Sequence, residues 1–165
     1  MGRRWFFSEN RIVYKIHGGL MAGRVNYQTA SYQCIRPGEL WQCNWLEGSS
    51  PPVSHPLLLI PFFYPNAFSF HHSHEVLETG TICSLVYDIP NKKISTLLAF
   101  SQGHWEHPEE AHGDKRNPAD FERWRGLAGI GKQTDRFMLN EQADILEAFK
   151  GKGDLVAIDP EAKTL

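Results

Sequence analysis

The chain has 165 residues, enough for one domain with a sizeable hydrophobic core. Seventeen basic against nineteen acidic side chains give a formal charge of -2, which disfavours nucleic acid and anionic membranes as partners and leaves a small neutral or weakly anionic ligand. Three widely spaced cysteines, Cys34, Cys43 and Cys83, lack the pattern of a zinc site or of a secreted disulfide fold, so we expect reduced thiols in a cytoplasmic protein.

No membrane segment is predicted. The first ten residues, MGRRWFFSEN, lack the long apolar stretch of a signal peptide. The most apolar run, Pro56 to Tyr64, is too short and too rich in proline to cross a bilayer as a helix.

The N-terminal part predicts antiparallel β-strands joined by tight turns. A strand over Trp5 to Ser8 is followed by one over Arg11 to His17, whose inward face we expect to carry Ile12, Tyr14 and Ile16. A glycine-rich connection containing Met21 then leads to a long strand, Arg24 to Arg36. Both faces of that strand are mixed, so periodicity leaves open which side Arg24 takes.

The next strand, Leu40 to Leu46, carries an unusual acid at its end. The Pro37-Gly38 pair predicts a type II turn and therefore a hairpin with the preceding strand. Alternation places two indoles, a thiol and a carboxylate on one face: Trp41, Cys43, Trp45 and Glu47. A carboxylate on an aromatic face is costly to bury unless it has a partner or a chemical role.

The composition changes abruptly after Glu47. Residues 48–77 hold five of the ten prolines and show neither a strand nor a helix period. The β pattern then resumes over Thr79 to Tyr87 and Lys93 to Phe100, which form a hairpin by their spacing. Short strands without intervening helices predict an antiparallel sandwich or barrel.

A helical C-terminal extension is predicted over residues 101–165. Asn117 caps a first helix with Pro118 at its first position, and its apolar stripe consists of Phe121, Trp124, Leu127 and Ala128. A second helix is expected from a cap at Asn140 to Gly151, with Ala143, Leu146 and Phe149 facing the body. The last dozen residues are expected to be a surface tail.

Three sequence blocks resemble the phenolic acid decarboxylase family: YKIHGGLMAGR, the later NWLE, and LLAFSQGHWEHPEEAHGDKRNPADFERW, which is similar to the fungal-type members. The resemblance implies a lipocalin-like antiparallel β-barrel, a homodimer and no cofactor. It also implies removal of carbon dioxide from para-hydroxycinnamic acids such as ferulic, p-coumaric and caffeic acid, giving 4-vinylphenols. Arg24 matches the arginine of the AGR element and Glu47 the acid after the aromatic strand, while Tyr14, Ile16 and Met21 match pocket-lining positions.

The chain departs from the family pattern in two places. Excising residues 48–77 joins Glu47 directly to Glu78-Thr79-Gly80-Thr81 and restores one continuous element, so we interpret this insertion as a translated, unspliced intron. Family members also carry an earlier strand with a Y-x-Y pair and then a W-x-Y element, whose hydroxyls contact substrate. Met1 to Arg4 match nothing in the family, so we expect a truncated start that lacks the first strand.

The chemistry gives Glu47 and Arg24 specific catalytic roles. Breaking the bond to a vinylic carboxylate requires an electron sink, and protonating the α-carbon while the para-phenol loses its proton supplies one, a quinone methide. The site therefore needs an acid, and we expect burial to raise the pKa of Glu47 so that it keeps its proton. Arg24 either orients the substrate carboxylate or poises Glu47, and we favour orientation with electrostatic tuning over tight clamping.

Plainer interpretations stand beside these. A glutamate at a strand end most often faces water, which is the plain expectation for Glu47 from alternation alone. Tyr14 and Ile16 are expected as ordinary core residues of an alternating strand, and Arg24 as a partner of a rim acid. His71, His72 and His74, and separately the loop containing His104, His107 and His112, have spacings that can build a metal site, but we expect no metal because such polar segments are usually solvated. The alternative function is a lipocalin-like protein that binds small ligands without turnover, or an inactive truncated enzyme.

Overall fold

The computed structural model of the protein describes residues 2–19, 21–48, 78–148 and 151. Eight strands form two antiparallel sheets, which confirms the predicted mainly β fold. The first sheet contains β1 (Gly2–Ser8), β2 (Arg11–Ile16) and β3 (Val25–Thr29). The second contains β4 (Ser31–Arg36), β5 (Leu40–Leu46), β6 (Ile82–Asp88), β7 (Lys93–Ser101) and β8 (Arg136–Asp144). Across these ranges the strands do not close into one barrel, so the predicted barrel stays a prediction.

The predicted long strand from Arg24 to Arg36 is two strands that belong to different sheets. The break lies at Ala30, whose backbone N–H donates to the Asn10 carbonyl at 2.8 Å instead of continuing either ladder. Before the break the chain pairs with β2, with Asn26 opposite Tyr14. After it the chain pairs with β5. The strand therefore connects the two sheets at a corner, which period-2 alternation does not reveal.

Both predicted hairpins are present. Gly38 has a φ of +73°, the left-handed conformation that a type II turn requires at this position, and β4 pairs with β5 beyond it. The second hairpin joins β6 to β7, with Asp88 opposite Lys93. On β5 the predicted inward residues Cys43 and Trp45 are buried and their neighbour Leu46 is exposed, as alternation predicts. Trp41, predicted on the same face, is 40% exposed near the start of the strand, so the buried face begins only at Cys43.

The chain on either side of the predicted insertion meets directly. The backbone N–H of Glu47 donates to the Thr81 carbonyl at 2.8 Å, and the Glu47 carbonyl accepts from the Gly80 N–H at the same distance. If the mature protein lacks the insertion, Glu47 and Glu78 must be neighbours, and these contacts agree with that. Residues 49–77 themselves lie outside the described residues. Its intron origin stays a prediction that sequencing the mature transcript tests, because a message encoding residues 48–77 would overturn it.

The predicted first helix is confirmed. After a short helix α1 (Gln102–Glu106) and a 3-10 helix (Pro108–Ala111), helix α2 covers Pro118–Ala128. The Asn117 side chain accepts a hydrogen bond from the Ala119 N–H at 3.1 Å and so caps α2. All four residues of the predicted apolar stripe are buried: Phe121, Trp124, Leu127 and Ala128.

The predicted second helix, from Asn140 to Gly151, is wrong. Residues Arg136–Asp144 form β8, which pairs with β7 over nine residue pairs, from Ser101 opposite Arg136 to Lys93 opposite Asp144. The backbone ladder along the open edge of β7 outweighs a weak helical pattern, since helix propensity changes by less than about 1 kcal/mol per ordinary residue. Leu146 is exposed rather than packed on the body.

Other sequence predictions have mixed outcomes. All three cysteines are free thiols, as predicted. Among the described residues, no helix is long and apolar enough to span a membrane. The apolar run at 56–64, the histidines at 71, 72 and 74, Phe149 and the C-terminal tail lie outside the described residues.

Candidate active site

One pocket of about 80 Å³ brings together every residue that the sequence proposes for the site. Its walls include Tyr14 and Ile16 from β2, Met21 and Arg24 from the connection to β3, and Glu47 from the end of β5. The remaining wall is largely apolar and includes Trp45, Cys83, Leu98 and Phe100. Alternation along β2 and β5 explains this convergence, since it points Tyr14, Ile16 and Glu47 to the same interior.

The Glu47 side chain accepts hydrogen bonds from four other side chains. It is only 2% exposed, and its Oε2 atom accepts from Arg24 Nη2 and from Thr79 Oγ1, each at 2.6 Å. Its Oε1 atom accepts from the Tyr14 hydroxyl and from Trp45 Nε1, the latter at 3.3 Å. Arg24 and Trp45 can only donate, and together with the hydroxyls of Tyr14 and Thr79 they form a set of four donors that matches a carboxylate.

The electrostatics of the resting site reverse the sequence prediction for Glu47. Burial raises the pKa of this carboxyl, but the Arg24 guanidinium and hydrogen bonds from Thr79, Tyr14 and Trp45 outweigh burial and hold it below its usual range. The predicted raised pKa is therefore wrong for the pocket without ligand. Alternation identified the aromatic neighbours on the strand but not the cation that comes from another element.

Arg24 is positioned by the helical region. It is buried, and its guanidinium lies 4.5 Å from the ring centroid of Trp124 on α2. Its Nη1 approaches only the Met21 sulfur, at 4.0 Å, and its Nε has no hydrogen-bond partner among the described residues. Arg24 therefore has N–H donors left over beyond the one that binds Glu47.

A second buried ion pair lies behind the pocket, and sequence reasoning missed it. Glu78 Oε2 lies 2.7 Å from Lys115 Nζ, and both side chains are almost completely buried. Asn26 Nδ2 donates to Glu78 Oε1 at 2.8 Å and Gln28 Nε2 to Oε2 at 2.9 Å. Lys115 belongs to a charged loop whose composition indicates solvation, so only the tertiary structure shows that its side chain points inward.

His104 is a buried neutral side chain in the same region. Its Nε2 lies 2.9 Å from the Trp124 carbonyl, and its Nδ1 has no partner within the described ranges. Burial and the Arg24 charge lower the pKa of His104 to about 4. The His104 ring is therefore neutral in the folded protein, and its hydrogen bond to the Trp124 carbonyl links α1 to the helix that contacts Arg24.

We expect stability to fall as the pH drops from about 6.5 to about 4, because the unfolded chain binds a proton at His104 in this window and the folded chain does not. The full effect is about 3 kcal/mol. Urea unfolding at several pH values measures it, and His104→Gln should flatten the dependence. His107→Gln, at a half-exposed position, is the control, and an equal flattening there would contradict this assignment.

A possible metal-binding group lies at the surface, away from the pocket. The ligand atoms of His107, Glu109 and Glu110 lie within 4.8 Å of one another, and the two glutamates are exposed. Exposed acidic groups of this kind are common without a bound ion. We expect overnight treatment with a chelator to leave activity intact, whereas a loss that zinc restores would overturn the prediction of a metal-free site.

No model of a known protein family and no curated protein matches this chain. The site's chemistry must therefore be argued from its geometry. It offers a buried carboxylate for proton transfer, an arginine with unused donors for an anionic group, and apolar and aromatic walls for a flat organic ligand.

Proposed function

We propose that this protein is a cofactor-free phenolic acid decarboxylase with a lipocalin-like barrel, acting on para-hydroxycinnamic acids such as ferulic, p-coumaric and caffeic acid. The observation that carries the proposal is the buried Arg24–Glu47 pair, at 2.6 Å, in a pocket that Tyr14, Ile16 and Met21 also line. These five residues are the ones that the family resemblance names. The homodimer that the resemblance implies and the cytoplasmic location expected from the cysteines stay predictions.

Substrate binding supplies the condition under which Glu47 becomes an acid. A substrate carboxylate placed on the unused Nε and Nη1 donors of Arg24 brings a second negative charge close to Glu47. Two neighbouring carboxylates raise the pKa of one of them, so Glu47 takes a proton from solvent on binding. Glu47 is then a carboxylate before substrate binds and an acid afterwards.

The reaction proceeds in two steps. Glu47 transfers its proton to the α-carbon while the para-phenol loses its proton to solvent water, giving a quinone methide and a Glu47 carboxylate. The bond between the α-carbon and the carboxylate then breaks, and its electron pair restores the aromatic ring and the vinyl group. Carbon dioxide leaves, the para-oxygen is reprotonated, and the overall reaction consumes one proton.

Arg24 orients the substrate carboxylate in this scheme without clamping it. A contact that is equally strong in the ground state and the transition state gives no acceleration, and the carboxylate loses its charge as carbon dioxide forms. Because Nη2 stays on Glu47, the substrate shares Arg24 with the acid. Arg24 thereby places the α-carbon beside the proton that it receives.

The experiment is to incubate the protein with p-coumaric acid and follow the loss of cinnamate absorbance and the formation of 4-vinylphenol. 4-Methoxycinnamic acid is the matched control, since it differs only by a methyl group on the para oxygen and has no phenolic proton to lose. In deuterated water, deuterium should enter the α-carbon of the product. Absence of product from all three natural acids, with the protein folded, would overturn the proposal.

One observation favours a second candidate, a protein that binds small aromatic acids without turnover. Four donors hold Glu47 as a carboxylate in the empty site, so the proton that catalysis needs is not present before binding. Calorimetric titration with p-coumaric acid separates the two candidates. Saturable binding without product supports the binding protein, and product formation excludes it.

A further inference from the structure

Asn26 holds the Tyr14 hydroxyl in one orientation. The Asn26 side-chain oxygen accepts from the Tyr27 backbone N–H at 2.8 Å, which fixes its amide group and turns Nδ2 toward Tyr14 and Glu78. Nδ2 lies 3.0 Å from the Tyr14 oxygen and 2.8 Å from Glu78 Oε1. An amide nitrogen only donates, so the Tyr14 oxygen accepts from Asn26.

The partners of Asn26 leave no alternative direction for these hydrogen bonds. Lys115 only donates and lies against Glu78, which therefore accepts from both Lys115 and Asn26. With its oxygen occupied by the Asn26 donor, the Tyr14 hydroxyl has Glu47 Oε1 as its acceptor. The two N–H groups of Asn26 thus point to different acceptors: one donates to Glu78, and the other donates to the Tyr14 hydroxyl, which in turn donates to Glu47.

The geometry points to Asn26, anchored by Glu78, as a positioning residue that directs the Tyr14 hydroxyl proton onto Glu47. The role of Asn26 in catalysis rests on the proposed function. In that mechanism the hydrogen bond from the Tyr14 hydroxyl to Glu47 must break or reverse when Glu47 takes up the catalytic proton. Without the Asn26 donor, the Tyr14 hydroxyl turns to other orientations and the Glu47 carboxylate loses one of its four hydrogen bonds.

The test follows the protonation of Glu47 directly, by carbon NMR of protein labelled at the glutamate carboxyls. The Glu47 signal is the one that disappears in Glu47→Gln. In Asn26→Ala its titration midpoint should rise by about one pH unit, the size of one hydrogen bond to a charged group. Tyr14→Phe should give a similar rise, and adding Asn26→Ala to Tyr14→Phe should give no further change.

Gln28→Ala is the matched control. Gln28 is buried on the same strand and also donates to Glu78, but no hydrogen bond joins it to Tyr14 in the described part of the chain. Its contact with the Asn26 oxygen is long, at 3.4 Å, and the shorter bond from the Tyr27 N–H, at 2.8 Å, still fixes the Asn26 amide in Gln28→Ala. In Gln28→Ala the midpoint of the Glu47 titration should equal that of the wild type. The other titratable groups near Glu47 are unchanged in all of these variants: Arg24, Cys83, His104, Lys115, and the cations Arg4 and Lys15 that line the same pocket.

An Asn26→Ala protein whose Glu47 titrates as in the wild type would overturn the inference, as would an equal shift in Gln28→Ala or an additive shift in the double variant. If Asn26→Ala does not fold, Asn26→Ser, whose shorter side chain cannot span both partners, takes its place.

Measuring turnover separates this inference from the proposed function. A midpoint shift in a protein without decarboxylase activity supports the positioning role and rejects the enzyme, whereas turnover without a shift does the reverse.

Discussion

Replacing Glu47 by glutamine should lower the decarboxylation rate by about 10³-fold or more, while binding of p-coumaric acid persists. General acid catalysis contributes about 10² to 10⁴ in rate, and in the proposed mechanism no other group delivers the proton to the α-carbon. The amide of glutamine retains the shape of the side chain but not the transferable proton. Single-turnover measurements with p-coumaric acid, and binding measured separately by calorimetry, test this expectation.

The control for this variant must account for folding. A glutamine amide turns one N–H group toward donors that already face Glu47, either Arg24 and Thr79 or Tyr14 and Trp45, so some loss of stability is expected. Rates are therefore compared per folded molecule. Glu39→Gln, on the exposed turn between β4 and β5, should leave turnover unchanged. A Glu47→Gln protein that is folded and within tenfold of the wild-type rate would exclude Glu47 as the acid.

Replacing Lys115 by methionine should destabilise the fold by about 3 to 5 kcal/mol, because it leaves the buried Glu78 carboxylate without its cation. Asn26 and Gln28 still donate to Glu78, but neither supplies a positive charge. The double variant Lys115→Met with Glu78→Gln should recover most of the loss, since it removes both charges together. Urea unfolding of the single and double variants measures both effects.

The exposed pair between Lys93 and Asp144 is the matched control. Its atoms lie at 2.5 Å, closer than those of the buried pair, but both side chains are more than half exposed. Lys93→Met should therefore cost less than about 1 kcal/mol. If Lys115→Met costs no more than Lys93→Met, Glu78 and Lys115 do not form a pair that matters for stability.

Sequence patterns correctly predicted the features that depend on only a few neighbouring residues. The turn at Gly38, the inward face with Trp45 and Glu47, and the capped helix α2 were all predicted correctly. The helix predicted from Asn140 failed because the ladder between β7 and β8 joins residues about 40 positions apart. A weak local preference does not compete with nine pairs along an open strand edge.

The family resemblance identified the candidate residues, and the tertiary structure showed which of them contact one another. Periodicity left open which side Arg24 takes. The structure places it inward because Trp124 covers its guanidinium and Glu47 accepts from it. The charge state of Glu47 follows from that placement: the aromatic strand face alone predicted a raised pKa, and the approach of Arg24 reverses the direction.

The sequence by itself determined an antiparallel β fold and a buried acid at the end of β5, because alternation and turn chemistry act within a few residues. Only the tertiary structure decided that Glu47 rests as a carboxylate among four donors, and that a second buried pair, Glu78 with Lys115, lies behind it. Electrostatic interactions depend on distance in space. The residues that set the charge of Glu47 come from strands and loops far apart in the chain, where no local pattern connects them.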